Sequence, residues 1–129
     1  MKHTLDNSHP VYIQISIFGV LDKPGLLSAM ANLFQHPDYM NKDSLWNFTH
    51  ATMGLSLGDL GEIVGVLGLF KTKKKNFANK VALLVPNLME LGMAKMFVSI
   101  SKLLPFTYKV FKAKEDAIAF LLNDKALNS

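Results

Sequence analysis

The 129 residues include no cysteine, which excludes disulfides and thiolate metal ligands. They include no arginine either, since all 14 basic residues are lysine. This argues against nucleic acid as a partner, because recognition of phosphate and guanine leans on the planar arginine fork, whereas lysine supplies a mobile point charge. The composition is 50% hydrophobic and 19% charged, yet no uninterrupted apolar run approaches the roughly 18 residues of a spanning helix. The opening stretch, MKHTLDNSHP, lacks the apolar core of a secretion signal, so a cytoplasmic location is expected. Chemistry-bearing clusters are missing too. His3, His9, His36 and His50 show neither metal-ligand spacing nor a partner acid, and Glu62 and Glu90 fall in separate helical patterns. No glycine-rich loop has the spacing and terminal lysine of a phosphate loop. No catalytic residue, metal ligand or cofactor is therefore expected.

What is present is one domain, residues 1–129, of alternating strand and helix signals. Within Val11 to Leu21, Val11, Ile13, Ile15 and Ile17 alternate with Tyr12, Gln14, Ser16 and Phe18, which predicts a strand with one buried face. Asp22 and Pro24 suit a helix start, and Leu26, Ala29, Met30 and Leu33 follow at helical spacing until His36, Pro37 and Asp38. Ser44 to Thr52 reads as a second strand. Val81 to Val85 is a continuous apolar run, which predicts a central strand covered on both faces. Asn87 with Glu90 marks another helix start. Met89, Met93, Met96, Phe97 and Ile100 form one stripe of that helix, with Leu91, Ala94 and Val98 on its far side, facing no evident core. Phe106 to Phe111 predicts a fourth strand and Lys112 to Leu122 a closing helix. The sum is a mostly parallel sheet of four or five strands with helices packed on it, Val11 to Leu21 lying towards one edge.

Between the second strand and the central one runs LSLGDLGEIVGVLGLFKTKKK, from Leu55 to Lys75. Ser56 and Asp59 have the spacing of a helix cap. At about 100° per residue, Leu57, Leu60, Ile63, Val64, Leu67 and Phe70 share one arc, and Gly58, Gly61, Gly65 and Gly68 another. So bare a backbone suits close packing against a neighbour. It equally suits a mobile helix, since each glycine costs about 0.5–1 kcal/mol relative to alanine. Lys71 to Lys80 holds five lysines and no acid, the pattern of a solvated loop. The same loop suits contact with an anionic membrane through Lys71, Lys73, Lys74 and Lys75. Their charge contributes at most about 4 kcal/mol, so insertion of Val66, Leu69 and Phe70 would have to add to it.

The order of elements, with VALLVPNLMELGMAKMF (Val81 to Phe97) and YKVFKAKEDAIAFLL (Tyr108 to Leu122), resembles the SpoIIAA-like family, relatives of the STAS domains of anti-sigma-factor antagonists and sulfate transporters. The resemblance implies an α/β fold, a SpoIIAA/STAS-like sandwich. Relatives of the antagonist type carry an Asp-Ser-Ser-Gly-like turn with a phosphorylated serine before the second helix; this chain departs from it with Met53, Gly54, Leu55, Ser56, Leu57 and Gly58, where Ser56 is the only positional candidate and reads first as the helix cap. Where relatives carry an Asp-Leu-Arg-like run in the second strand, this chain has Asn47, Phe48 and Thr49.

These features favour a non-enzymatic domain that takes an apolar small molecule or lipid between the glycine-studded helix and the methionine-bearing one. Leu57, Leu60, Val64, Leu67, Met89, Met93, Met96 and Phe97 are its expected lining, with Asn47 and His50 near the carboxyl end of the second strand. Membrane contact, where it occurs, would place the protein at the inner face of the membrane. The alternative is a regulatory domain that binds a protein partner, as the antagonist relatives do.

Overall fold

The computed structural model describes residues 1–69, 80–85, 92, 94, 95, 97–99 and 107–127. Its elements are β1 (Lys2–Asp6), β2 (Tyr12–Val20), α1 (Lys23–Phe34), a short 3-10 turn (Tyr39–Asn41), β3 (Asp43–Thr52), α2 (Leu57–Leu69), β4 (Lys80–Leu84), β5 (Thr107–Phe111) and α3 (Lys114–Leu127). Gly92, Ala94, Lys95, Phe97, Val98 and Ser99 are also helical. The strands lie in the order β1-β2-β3-β4-β5, with β1 antiparallel to β2 and every other pair parallel.

Each parallel connection therefore steps the same way across the sheet. Right-handed crossovers then put their helices on one face. On that first face, Leu26, Ala29, Met30 and Leu33 of α1, Leu60 and Ile63 of α2, and Ala94 pack on Ile13, Ile15, Ile17, Trp46, Val81, Leu83 and Val85. The second face is left to α3, whose Ala117 and Leu121 close over Tyr12, Leu45, Ala82 and Leu84.

The expected strand at Val81 to Val85 is buried on both faces, with Leu83 in the first core and Leu84 in the second. Its place in the sheet differs from expectation. It is the fourth strand of five, and β3 holds the middle. β1 was not anticipated, because Leu5 is its only apolar residue, and pairing of Leu5 with Ile15 rather than hydrophobic pattern recruits it. Ala94 and Val98, expected to face away from any core, pack into the first one. Lys80 is no part of a solvated loop. It is buried at the start of β4, and its ammonium donates to the carbonyls of Phe120 (2.9 Å) and Leu121 (3.1 Å), joining β4 to α3. Its own backbone N–H donates to Asp43 Oδ1 at 3.0 Å.

Local chemistry sets the helix starts. The Asp22 side chain accepts from the Gly25 N–H at 2.6 Å, with Pro24 in the first turn. At α2 the cap is reciprocal: the Asp59 N–H donates to Ser56 Oγ (3.0 Å) and the Ser56 N–H to Asp59 Oδ2 (2.9 Å). The hydrogen bond from Ser56 holds the Asp59 carboxyl below the usual carboxylate range. Lys23 donates to Glu62, tying α1 to α2 at the surface. No described helix is long and apolar enough to cross a membrane.

Gly61 and Gly65 of α2 do not pack against a neighbour among the described residues. A Cβ built on Gly61 or Gly65 would meet nothing within 4 Å, so that face is open. Gly54 is the reverse, since a Cβ there would fall 2.3 Å from the Leu21 carbonyl oxygen. In urea unfolding, Gly61→Ala and Gly65→Ala are each expected to raise stability by about 0.5–1 kcal/mol. Gly54→Ala is expected to lower it. A loss on either helix substitution would mean that the open face is covered in solution.

Candidate functional site

The thick first layer holds a partly open cavity of about 90 Å³. Its floor is the sheet: Ser44, Trp46 and Phe48 of β3, then Val81, Leu83 and Val85 at β4. Alternation brings these side chains to one side, because every second residue of a strand shares a face. Leu26, Met30, Leu33 and Phe34 from α1, with Leu60 and Ile63 from α2, form the roof. Leu21, Met53 and Leu55 line the end where the strands run into their helices, and Ala94, Phe97, Tyr39 and Tyr108 add to the wall among the described residues.

Aromatic contacts fix much of this wall. Phe97 meets Tyr108 edge-on with ring centres 5.5 Å apart, Phe34 packs on Tyr39 at 4.9 Å, and Trp46 lies parallel to Phe48 at 6.1 Å. No charged side chain lines the cavity among the described residues, whose polar groups there are the hydroxyls of Tyr39, Ser44 and Tyr108 and the indole N–H. Burial pushes the phenol of Tyr39 far above its ordinary range, and the neighbouring Tyr108 adds to the effect. Burial alone does the same to Tyr108. A site that resists phenolate formation resists negative charge in general.

The expected site residues divide into three groups. Leu60 and Phe97 line the cavity. Leu57 is 52% exposed, because it opens α2 on the side turned from the sheet, and half-buried Val64 is not in the lining. Met89, Met93, Met96, Phe70, Lys71, Lys73, Lys74 and Lys75, together with the side chains of Leu67 and Leu69, lie outside the described residues. Val66, expected at the membrane edge, is packed against the first core.

Asn47 lies on the other face by ordinary alternation, and a bulge after it turns His50 there as well. Ser16 pairs with Asn47 and Phe18 with His50, so Phe48 and Thr49 together oppose Ile17. The Asn47 side chain holds this turn by accepting from the Thr49 N–H at 3.0 Å. The extra residue keeps Trp46, Phe48 and then Ala51 on the first core, while His50 stacks on Phe18 at 5.5 Å in the open.

Sequence reasoning missed most of the lining, although its signals were present. The alternation of Ser44, Trp46 and Phe48 announces a shared face, and Met30 and Leu33 lie on the buried stripe of α1. Among the described residues no group of three or more His, Asp or Glu side chains could hold a metal ion. A wider depression near Asp6, His9, Tyr12, Gln14 and Lys114 is partly polar, and several of its groups, Gln14 with Ser16 among them, already have partners. Asp6 accepts from the Ser8 N–H at 2.9 Å, and His9 Nδ1 from the Val11 N–H at 3.0 Å.

No protein-family model and no curated protein matches the sequence. Among solved structures the chain is similar to an uncharacterised protein of the DUF3478 family with a SpoIIAA-like fold, from Shewanella loihica PV-4. The two are 16% identical with a TM-score of 0.58, over 93% of this chain and 92% of that one. The chain therefore has a SpoIIAA-like fold, and at this identity the likeness carries the fold alone.

The two raised phenols make alkaline stability a test of this wall. Both stay protonated in the folded chain at pH values where an unfolded tyrosine, near pH 10, has ionised. Above that point the unfolded chain binds fewer protons, so stability is complete below about pH 10 and falls above it. The expected slope is up to about 1.4 kcal/mol per pH unit for each phenol. Urea unfolding at pH 8, 10 and 11, with tyrosinate absorbance followed alongside, reads the slope. Flat stability to pH 11 with ordinary titration of all three tyrosines would contradict the buried placement.

Proposed function

We propose that this SpoIIAA-like fold serves as a non-enzymatic binding domain, and that its ligand is an apolar, lipid-like molecule seated between the sheet and the α1 and α2 helices. The observation that carries the reading is the cavity itself, walled by strands and helices with apolar and aromatic side chains in the layer where a small domain normally closes its core. Polarisable Met30 and Met53 adapt to an occupant. The open glycine face gives α2 room to shift, and among the described residues the exposed pair Lys23 and Glu62 ties it to α1 at the surface.

Ala94 is buried and lines the space, so Ala94→Leu adds carbons where the ligand would sit. Native mass spectrometry of gently purified protein is expected to show a retained apolar molecule, with occupancy at least tenfold lower in Ala94→Leu and an unchanged circular dichroism spectrum. A bare mass for the native sequence, together with no change in Trp46 emission on adding short alcohols, would sink the reading.

A second reading, a protein-binding domain, is favoured by a different observation. Phe18, Val20 and Leu57 are 38%, 59% and 52% exposed, and all three lie where β2 and β3 end and α2 begins. Val20→Lys with Leu57→Lys is expected to abolish capture of a partner while leaving the Trp46 response intact. Undiminished capture would remove this surface from consideration.

A further inference from the structure

Among the described residues β1 pairs with β2 alone, so its outer side is an open edge of the sheet. Such an edge presents a row of backbone N–H and C=O groups, which proteins usually guard with proline, a bulge or lysine. β1, KHTLD, has no proline, and its register with β2 runs unbroken from Lys2 opposite Phe18 to Asp6 opposite Gln14. It carries one lysine and one acid, Lys2 and Asp6, each two residues from Thr4, and all three are exposed. Lys2 has no ion-pair partner among the described residues. Asp6 accepts from the Ser8 N–H at 2.9 Å, and hydrogen bonds from the Ser8 side chain and backbone hold its carboxyl below the usual carboxylate range. An ionised carboxylate still has lone pairs for a further donor.

Two-fold symmetry turns this spacing into a match. Opposed residues of an antiparallel pair share a face, so a strand that meets a copy of itself must centre on a residue and not between two. Centring on Thr4 uses all five residues of β1. It sets Lys2 against Asp6 of the second copy, Asp6 against Lys2, and Thr4 against Thr4, which are favourable cross-strand pairs. Within each copy Ser16 already lies beside Thr4 and Asn47 beside Ser16, so the central row stays polar throughout. Moving the centre to His3 or Leu5 loses both ion pairs. The opposite edge does not match itself: full-length pairing of β5, TYKVF, centres on Lys109 and opposes two like charges.

We propose that two copies of the chain join through β1, antiparallel and centred on Thr4, so that two five-stranded sheets become one. Backbone hydrogen bonds between the edges supply the affinity, and the Lys2 and Asp6 pairs, being exposed, supply register more than strength. Five residues a side make a small interface, so the association is reversible.

Sedimentation equilibrium of the full chain at low salt, from about 5 μM to about 1 mM, is expected to show monomer and dimer in exchange. Lys2→Asp and Asp6→Lys each oppose like charges twice per dimer, and each is expected to weaken self-association about tenfold. An equimolar mixture of the two variants opposes unlike charges at both positions and is expected to dimerise like the native chain. The mixture separates lost complementarity from local damage, since Asp6→Lys also removes the acceptor of the Ser8 N–H. The chain has no cysteine, so Thr4→Cys introduces a single thiol that faces its own copy with Cα atoms about 4.5–5.5 Å apart, within disulfide range. Lys2→Cys would leave its two thiols offset by four residues, about 13 Å along the strand. Mild oxidation is expected to cross-link Thr4→Cys at least tenfold faster than Lys2→Cys. A chain monomeric at the highest concentration, a mixture no better than its components, or equal cross-linking at positions 2 and 4 would each overturn the proposal and leave this edge to some other strand.

Discussion

Strand order is the constraint on which the rest of this structure depends. Five strands lie side by side in the order in which the chain produces them, and three of the four connections are parallel crossovers. Because such crossovers share one hand and here step in one direction, their helices accumulate on one face. The result is a sheet with unequal cover. Among the described residues, one side carries α1, α2 and the helical residues around Ala94, the other a single helix, α3. Several helical segments converging on one twisted surface leave gaps that a single helix does not, and the cavity lies in the crowded layer.

The elements with strong local chemistry were legible in the sequence. Alternation at Ile13, Ile15 and Ile17 gives β2, Asp22 with Pro24 begins α1, and Ser56 with Asp59 makes the reciprocal cap of α2. The unbroken run at Val81 to Val85 does mean two covered faces. It does not mean the middle of the sheet, because a strand next to an edge is covered equally well when helices lie on both sides. β1 has too little apolar content to announce itself and depends on its partner.

The site was legible only where a residue lies on the inner arc of one helix. Leu60 and Phe97 satisfy that condition, whereas Leu57 shares their periodicity but precedes the point where α2 meets the core. Contributions from α1, β3 and β4 depend on the layer they share, which periodicity within one element does not encode. The bulge at Phe48 and Thr49 is the clearest case. One extra residue reverses which side of the sheet His50 occupies, and only pairing with β2 reveals it. The glycines of α2 likewise present one arc in sequence, and only the surrounding space distinguishes a packed face from an open one.

The position of α3 bears on how the chain is made. Strands that pair in sequence order allow the sheet to grow one strand at a time from the N-terminus, each new strand finding its neighbour already in place. The first face can be roofed as growth proceeds, since the helical segments arrive between the strands they connect. The second face cannot. Leu45, Ala82 and Leu84 stay uncovered, and the Lys80 ammonium lacks the carbonyls of Phe120 and Leu121, until α3, which follows all five strands, arrives. A nascent chain therefore carries a sticky sheet surface until α3 has been made, and the interval before α3 docks is when it depends most on protection from aggregation.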